Sequence, residues 1–256
     1  MNEIVYNEDF YSGSYERKIA GSRKVLNLLL KILPQVHTAS DFGCGVGARL
    51  LPLHEQNIRI HGFDGPWLPL KHLYIPEKYF TVINLLDDLQ NKNSSIWNLT
   101  TFDLIITLEV AEHIPPSLAD DFIDLLTEHA NFILFSAAIP GQGGTEHLNE
   151  QYPSYWCNKF MERGFDCIDA IRPEIWNDEE IQFFYRQNIF IACKKELTHL
   201  LKCNTDLFPL DLVHPQQFKL EQERGELTIK RSVIFIFKKL CHRIKNLFTI
   251  GARSCF

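Results

Sequence analysis

Three glycines between a predicted strand and a predicted helix constrain this chain more than any other feature. Gly43, Gly45 and Gly47 follow an apolar strand expected at about 37–42 and precede a run of helical periodicity at 48–55. Glycine adopts positive φ without strain and lets a ligand approach the backbone and the next helix N-terminus closely. Strand, glycine turn and helix in this order predict the first unit of a doubly wound sheet.

The turn alone fits two ligand classes, because Gly43-x-Gly45-x-x-Ala48 also satisfies the dinucleotide-binding fingerprint. Asp41 separates them, since a carboxylate at the strand end repels a pyrophosphate and favours an ammonium group. The run D-F-G-C-G-V-G at 41–47 resembles the D-x-G-C-G-x-G signature of class I S-adenosylmethionine-dependent methyltransferases. The resemblance implies that the cofactor lies against Asp41, Gly43, Cys44, Gly45 and Gly47.

Two further cofactor contacts are expected at the ends of the next strands. The predicted second strand, 58–63, ends at Asp64 and Gly65, where an acidic residue about 20 positions past the glycine turn is placed to accept both ribose hydroxyls. A third strand is predicted at 79–85. Relatives carry an Asp-Leu pair at its end for the adenine; the matching pair here is Asn84 and Leu85, with Asp87 and Asp88 just beyond as open alternatives.

An apolar fourth strand, 102–108, runs into the segment L-E-V-A-E-H at 108–113, which resembles the L-E-V-x-E-H segment of many small-molecule methyltransferases. Ligands bind at the carboxyl ends of central strands in such sheets. Glu109 is therefore predicted to bind the cofactor, with Glu112 and His113 nearby. Ordinary helix-start roles for these residues remain open, because glutamate is favourable near a helix N-terminus.

A long loop at 136–156 combines three glycines and two prolines with a dense set of polar and aromatic residues. Long loops in compact domains are usually functional or disordered, and the aromatic residues argue against disorder. The loop is similar to a stretch found in a bacterial methyltransferase subgroup that acts on small molecules and glycans. We predict His147, or else His113, as the general base for a hydroxyl acceptor, with Glu146 or Glu112 orienting the imidazole.

The remaining pattern completes an α/β architecture. Helices are predicted at 20–33, 117–129 and 153–163, and strands at 131–135, 165–169 and 188–193. The family resemblance implies a seven-stranded, mostly parallel, doubly wound sheet whose last two strands form an antiparallel pair. We predict a methyltransferase domain over 1–195 and a C-terminal extension over 196–256.

The charge distribution and the cysteine content limit the possible binding partners and the cellular compartment. The net charge is −6, and residues 227–256 hold seven Lys/Arg and no Asp/Glu, which leaves −13 on residues 1–226 and argues against nucleic acid as a partner. The basic amphipathic segment 229–248 is expected either to contact a membrane interface or an acidic partner surface, or to dock on the acidic body of its own chain. Seven widely spaced cysteines without a C-x-x-C pair predict reduced thiols, no zinc site and a metal-independent protein.

The sequence thus predicts S-adenosylmethionine-dependent methyl transfer to a small molecule or glycan intermediate. No signal peptide or spanning run is visible, so we expect a cytoplasmic protein, with peripheral membrane contact through its basic end. Two alternatives remain, an NAD(P)-dependent oxidoreductase and a non-catalytic cofactor-binding scaffold. The acceptor and the oligomeric state are left open.

Overall fold

The structure, a computed structural model, describes residues 15–225 and Ile229. Seven strands form a single sheet within it: β1 (Thr38–Phe42), β2 (Arg59–Asp64), β3 (Phe80–Val82), β4 (Phe102–Leu108), β5 (Ala130–Ser136), β6 (Phe165–Ile168) and β7 (Phe190–Lys194). The helices are α1 (Tyr15–Ile32), α2 (Leu51–Glu55), α3 (Leu85–Gln90), α4 (Ala119–His129), α5 (Pro153–Glu162), α6 (Arg172–Ile175), α7 (Phe183–Asn188) and α8 (215–225). Short 3₁₀ turns lie at Leu70–His72, Glu77–Tyr79, Ser95–Asn98, Ala111–His113, Pro116–Leu118 and Lys195–Leu200.

The strand order is β3-β2-β1-β4-β5-β7-β6. Strands β1 to β5 pair in parallel, whereas β7 runs antiparallel to both of its neighbours, β5 and β6. The predicted seven-stranded, mostly parallel sheet with an antiparallel final pair is therefore confirmed. The order reverses between β1 and β4, which places the crevice of a doubly wound sheet at their carboxyl ends.

Apolar residues alternate between two cores along the central strands. In β4, Ile105 packs in one core, whereas Leu104 and Ile106 pack in the other. The first core lies against α4 and α5 and contains Phe122 and Trp156; the second lies against α1 and α2. Both faces of the central strands are covered, which explains why β4 reads as an unbroken apolar run.

Two element boundaries differ from the sequence prediction. The third strand is shorter than 79–85, because the chain turns at Asn84, whose backbone N–H donates to the carboxylate of Asp88, and α3 begins at Leu85. A hydrogen bond that an Asp side chain accepts from a nearby backbone N–H favours a helix start over a continued strand. Helix α2 begins at Leu51, with Pro52 in its first turn, where proline's missing N–H costs nothing.

The chain divides into two compact units that meet in sequence at His214 and Pro215. The first unit contains the whole sheet and the segment that follows β7, in which the Lys202 N–H donates to the Ile32 carbonyl. The second is described through α8 and Ile229, so most of the basic segment 229–248 lies outside the described residues. The functional division at 195/196 stays a prediction. Among the described helices, none is both long and apolar enough to span a bilayer.

Candidate functional site

The predicted site residues gather at one edge of the sheet. Gly43 follows β1, Gly65 follows β2 and Glu109 follows β4, and these parallel strands are neighbours in the order β2-β1-β4. Their carboxyl ends therefore face the same crevice.

The glycine turn needs its glycines for both backbone and packing reasons. Gly43, Gly45 and Gly47 have φ values of +75°, +54° and +79°. A Cβ on Gly43 would lie 2.4 Å from Cγ2 of Val110, which brings the segment after β4 against the turn. A Cβ on Gly47 would lie 2.8 Å from Cγ1 of Ile75. Larger residues at these positions would have to displace neighbouring side chains and accept a strained backbone.

Asp64 joins the glycine turn to the end of β2. Its Oδ2 accepts a 2.6 Å hydrogen bond from the Gly45 N–H, and its Oδ1 accepts a 2.7 Å bond from the Gly65 N–H. Burial raises the pKa of Asp64, and these backbone hydrogen bonds oppose the increase. The Trp67 side chain also hydrogen-bonds to this carboxylate, so one of its four lone pairs is left for a further donor. The structure thus brings together Asp64, Gly45 and Gly65, and their contacts with a cofactor stay predictions.

Asp41 is fully buried and paired with Arg49, a residue that the sequence analysis missed. Arg49 Nε donates to Asp41 Oδ2 at 2.9 Å, while Nη2 donates to the Gly43 carbonyl at 2.7 Å and Nη1 to the Tyr185 hydroxyl at 3.3 Å. Burial raises the pKa of Asp41 to about 6, and the positive charge of Arg49 opposes the increase. Asp41 therefore does not present an unpaired carboxylate to the crevice, and its contact with a cofactor stays a prediction.

Three of the predicted cofactor residues contact other parts of the protein. The Asn84 side-chain amide donates to the carboxylate of Asp87, and Leu85 is buried in the core. Cys44 is buried with its Sγ 3.3 Å from the Gly45 carbonyl, and burial raises the pKa of its thiol. Their contacts with adenine or cofactor remain predictions.

Glu109 lies directly after β4 with a φ of +57°, which is uncommon for a residue other than glycine. Its half-buried carboxylate accepts a 2.6 Å hydrogen bond from Gln142 Nε2 and a 3.1 Å bond from Asn188 Nδ2. Burial raises the pKa of Glu109, and these two amides oppose the increase. Glu109 thus connects the long loop and α7 to the sheet edge, and the positive φ is maintained by this network.

Glu112, His113 and His147 form a second group at this edge. His147 Nε2 lies 4.0 Å from Glu112 Oε1, and the two imidazole rings meet edge to face with centroids 5.0 Å apart. Burial, followed by the nearby charge of His147, lowers the pKa of His113 to about 4, so its imidazole is neutral near pH 7. Burial and then repulsion by Glu109 raise the pKa of Glu112 well above its ordinary value.

Backbone bonds hold the long loop against this group. The Glu112 carbonyl accepts bonds from the N–H groups of Leu148, at 2.8 Å, and Asn149, at 2.9 Å. His147 Nδ1 lies 2.8 Å from Glu150 Oε1, so Glu150, rather than the predicted Glu146 or Glu112, supplies the carboxylate bonded to this ring. Glu146 meets the other histidine instead, with its backbone carbonyl 3.2 Å from His113 Nδ1.

Sequence patterns gave only partial signals for the missed residues. Arg49 is the first cation after the buried Asp41, and an apolar strand ending in aspartate needs such a partner. Asn188 precedes an apolar strand, and Glu150 follows His147 by three residues in a loop. Neither spacing specifies a contact, because the partners meet only through the tertiary fold.

Known proteins resemble this chain in fold and not in sequence. No family model matches the sequence, and neither does any curated protein. The structure is similar to magnesium protoporphyrin IX methyltransferase (ChlM) from Synechocystis PCC 6803 with bound SAH, at a TM-score of 0.50 and 17% identity over 75% of this chain and 97% of that one. The chain has the class I methyltransferase fold.

A second similar structure comes from the complex between the Trm112 methyltransferase activator of Haloferax volcanii and a methyltransferase. The TM-score is 0.54 and the identity is 12%, over 75% of this chain and 96% of that one. At these identities the likeness concerns the fold.

Proposed function

We propose that this protein is an S-adenosylmethionine-dependent methyltransferase that acts on a small-molecule or glycan-intermediate acceptor. The observation that carries the proposal is the Asp64 carboxylate, fixed by the Gly45 and Gly65 backbone at the crevice of a class I methyltransferase fold. Its remaining lone pair suits one ribose hydroxyl, and a second hydroxyl would take the place of the Trp67 donor. The glycine turn carries no side chains of its own at Gly43, Gly45 and Gly47, which favours the close approach of a ligand to its backbone.

The strand order favours this proposal over an NAD(P)-dependent oxidoreductase. Both enzyme classes accommodate Gly43-x-Gly45-x-x-Ala48 followed by Asp64. The dinucleotide-binding sheet has the parallel order 3-2-1-4-5-6. Here an antiparallel strand, β7, lies between β5 and β6, which departs from that order.

The residues divide into a cofactor side and an acceptor side. We assign the glycine turn, Asp64 and the neighbouring Glu109 to the cofactor side. The bound sulfonium supplies an activated methyl group and a good leaving group, so the protein's main task is to position the acceptor and receive its proton. We propose His147 as the acceptor-side residue, because Glu150 fixes its ring and its loop follows β5, the parallel neighbour of β4.

Calorimetric titration with S-adenosylhomocysteine and with NADH tests the cofactor assignment. We expect the wild type to bind the former and not the latter. Asp64→Asn should weaken binding by at least about tenfold, since a hydrogen bond to a charged group contributes about 1.5–3 kcal/mol. Asp206→Asn, at an exposed aspartate, is the matched control and should bind normally. Preferential binding of NADH would refute the proposal.

Labelled-methyl transfer into cell extracts tests turnover. His147→Ala should keep its affinity for S-adenosylhomocysteine and lose activity by about 10²–10⁴-fold. His199→Ala, at an exposed histidine, should retain both properties. Lower cofactor affinity with unchanged turnover per bound cofactor would contradict the role of His147. Cofactor binding by the wild type without transfer to any acceptor would favour the scaffold alternative.

A further inference from the structure

We propose that Glu112, His113 and His147 bind a divalent transition-metal ion. They come from two segments, the turn after β4 and the loop after β5. Each offers one ligand atom, and the three atoms lie within 4.8 Å of one another. Two imidazoles and one carboxylate form a donor set that suits Zn²⁺ and related first-row ions and leaves further coordination positions for water or substrate.

The second nitrogen of each histidine already has the partner that a metal ligand needs. His147 Nδ1 lies 2.8 Å from the Glu150 carboxylate, and His113 Nδ1 lies 3.2 Å from the Glu146 carbonyl. Histidines that bind metals almost always donate their other N–H to a carboxylate or a backbone carbonyl, which fixes the tautomer. Both rings therefore favour the tautomer in which Nε2 carries the lone pair for an ion.

Glu112 provides an independent indication of a bound cation. Its side chain is 1% exposed, and Oε2 has no hydrogen-bond partner. Buried carboxylates are normally paired, hydrogen-bonded or coordinated to a metal. The backbone at Glu112 and Ala138 hydrogen-bonds to this carboxylate, so only Oε2 is left unsatisfied. The ion-pair partner that the structure gives Glu112 is His147, at 4.0 Å, which is longer than a hydrogen bond. A divalent cation would balance this carboxylate and that of Glu150, which lies beyond the same ring.

The ligand atoms, at most 4.8 Å apart, must approach one another by up to about 1.5 Å to coordinate one ion. Ligand atoms around a tetrahedral ion with bonds of about 2.0–2.2 Å are roughly 3.3–3.5 Å apart. His147 Nε2 and Glu112 Oε1 must therefore approach by less than about 1 Å from their 4.0 Å separation. The Glu112 carbonyl also anchors the loop at Leu148 and Asn149. One residue thus supplies the carboxylate ligand and holds the segment that carries the second histidine.

An ion at this edge would give His147 the role of a ligand in place of the predicted general base. It would also replace the expectation of a metal-independent protein, which rested on the lack of paired cysteines. A coordinated hydroxyl is more acidic than a free one. Its use in methyl transfer rests on the proposed function, whereas binding of the ion does not.

Metal titration of the full-length protein, stripped with a chelator and kept reduced, tests the site. We expect one Zn²⁺ or Co²⁺ per chain, and weaker Mg²⁺ binding because Mg²⁺ prefers oxygen ligands. Mn²⁺ serves as a probe with little preference for thiols. His147→Ala and Glu112→Gln should each weaken binding by at least tenfold and abolish the visible Co²⁺ spectrum of the site. His199→Ala should bind as the wild type does.

Unchanged affinity in both ligand variants, or no stoichiometric ion in the folded wild type, would overturn the proposal. If the ligand variants fail to fold by circular dichroism, Glu150→Gln retains all three ligands and should still weaken binding by about 10–100-fold, because it alters the bond to His147 Nδ1. Titration of the stripped wild type with S-adenosylhomocysteine keeps the two proposals separate. Binding of that cofactor without metal binding would overturn this inference and leave the proposed function standing.

Discussion

The glycine turn and the Glu112-His113-His147 group lie at the same sheet edge but are built differently. The Gly45–Asp64 bond joins residues 19 positions apart through a backbone N–H. The second group depends on the His113–Glu146 contact, across 33 positions, and is flanked by the Glu109–Asn188 bond, across 79. The turn is specified by local sequence, whereas the second group exists only once the loop and α7 are in place.

The two regions also differ in charge. At the turn, the Asp41 carboxylate is balanced by the Arg49 guanidinium. At the second group, the ion-pair partner of both Glu112 and Glu150 is the same histidine, His147. The buried charges of Asp41 and Arg49 thus balance each other without a ligand. A bound cation would stabilise the second group, in which two carboxylates share one histidine.

Replacement of Arg49 is expected to have the largest effect on stability. Arg49→Met leaves the fully buried Asp41 without its cation, and breaking a buried pair from one side typically costs about 3–5 kcal/mol. Urea unfolding at pH 7 measures the loss. Arg23→Met removes a surface pair with Glu55, half-exposed on both sides, and should lower the stability far less. Equal losses would mean that the turn does not depend on this pair.

The double variant Asp41→Asn/Arg49→Met isolates the uncompensated charge. It removes both members of the pair, so it should be more stable than Arg49→Met alone. If the double variant were the less stable of the two, lost packing of the Arg49 side chain would explain the result better than charge.

The same pair predicts how stability changes with pH. The pKa of Asp41 is raised from 3.8 to about 6 in the folded protein, so folding favours the protonated carboxyl. Its contribution is greatest below about pH 4 and is lost as the pH rises through 6, by up to about 3 kcal/mol. The difference in unfolding free energy between wild type and Asp41→Asn, measured from pH 4 to 7, should fall accordingly. A flat difference would contradict the raised pKa.

Local patterns predicted the parts of the molecule whose partners are close in sequence. The bounds of β4 agree with the apolar run 102–108, and the second strand ends at Asp64 as its sequence indicated. The third strand was predicted too long, because apolar residues past Val82 continue the pattern although Asn84 begins a turn.

The missed contacts have a common physical cause. Arg49 follows the turn with no pattern that indicates its direction, and its side chain returns to Asp41. Glu150 and Glu146 are both acidic neighbours of His147, and only the folded loop determines which carboxylate meets the ring. Spacing identifies candidate groups in a loop, but tertiary contacts select among them.

A pair of glycine variants tests how tightly the turn is packed. Gly43 and Gly164 have nearly equal φ values, +75° and +76°, so Ala at either position bears the same backbone strain of about 1–2 kcal/mol. A Cβ at Gly43 would also lie 2.4 Å from Val110, whereas one at Gly164 meets nothing within 4 Å. Gly43→Ala should therefore lose about 1–3 kcal/mol more than Gly164→Ala in urea unfolding. Equal losses would mean that Val110 moves aside freely.

The smallest effect on stability is expected at Glu150, on the side of the molecule built from long-range contacts. Its carboxylate accepts bonds from the N–H groups of Gly141 and Gly143 and faces His147 Nδ1. Burial opposes ionisation, but these bonds outweigh it and lower the pKa of Glu150. Glu150→Gln places an amide N–H against one of these donors, and it should cost about 1 kcal/mol without metal.

Glu162→Gln, at a highly exposed carboxylate, is the matched control and should cost nothing measurable. Added Zn²⁺ raises the unfolding free energy of a variant with the logarithm of the ion concentration relative to the Kd of its folded state, so tighter binders gain more. The gap between Glu150→Gln and wild type should therefore widen with Zn²⁺, while the gap for Glu162→Gln stays unchanged. If Zn²⁺ does not alter the gap for Glu150→Gln, then Glu150 only stabilises the loop. The Glu112-His113-His147 group would then need no ion, like the glycine turn.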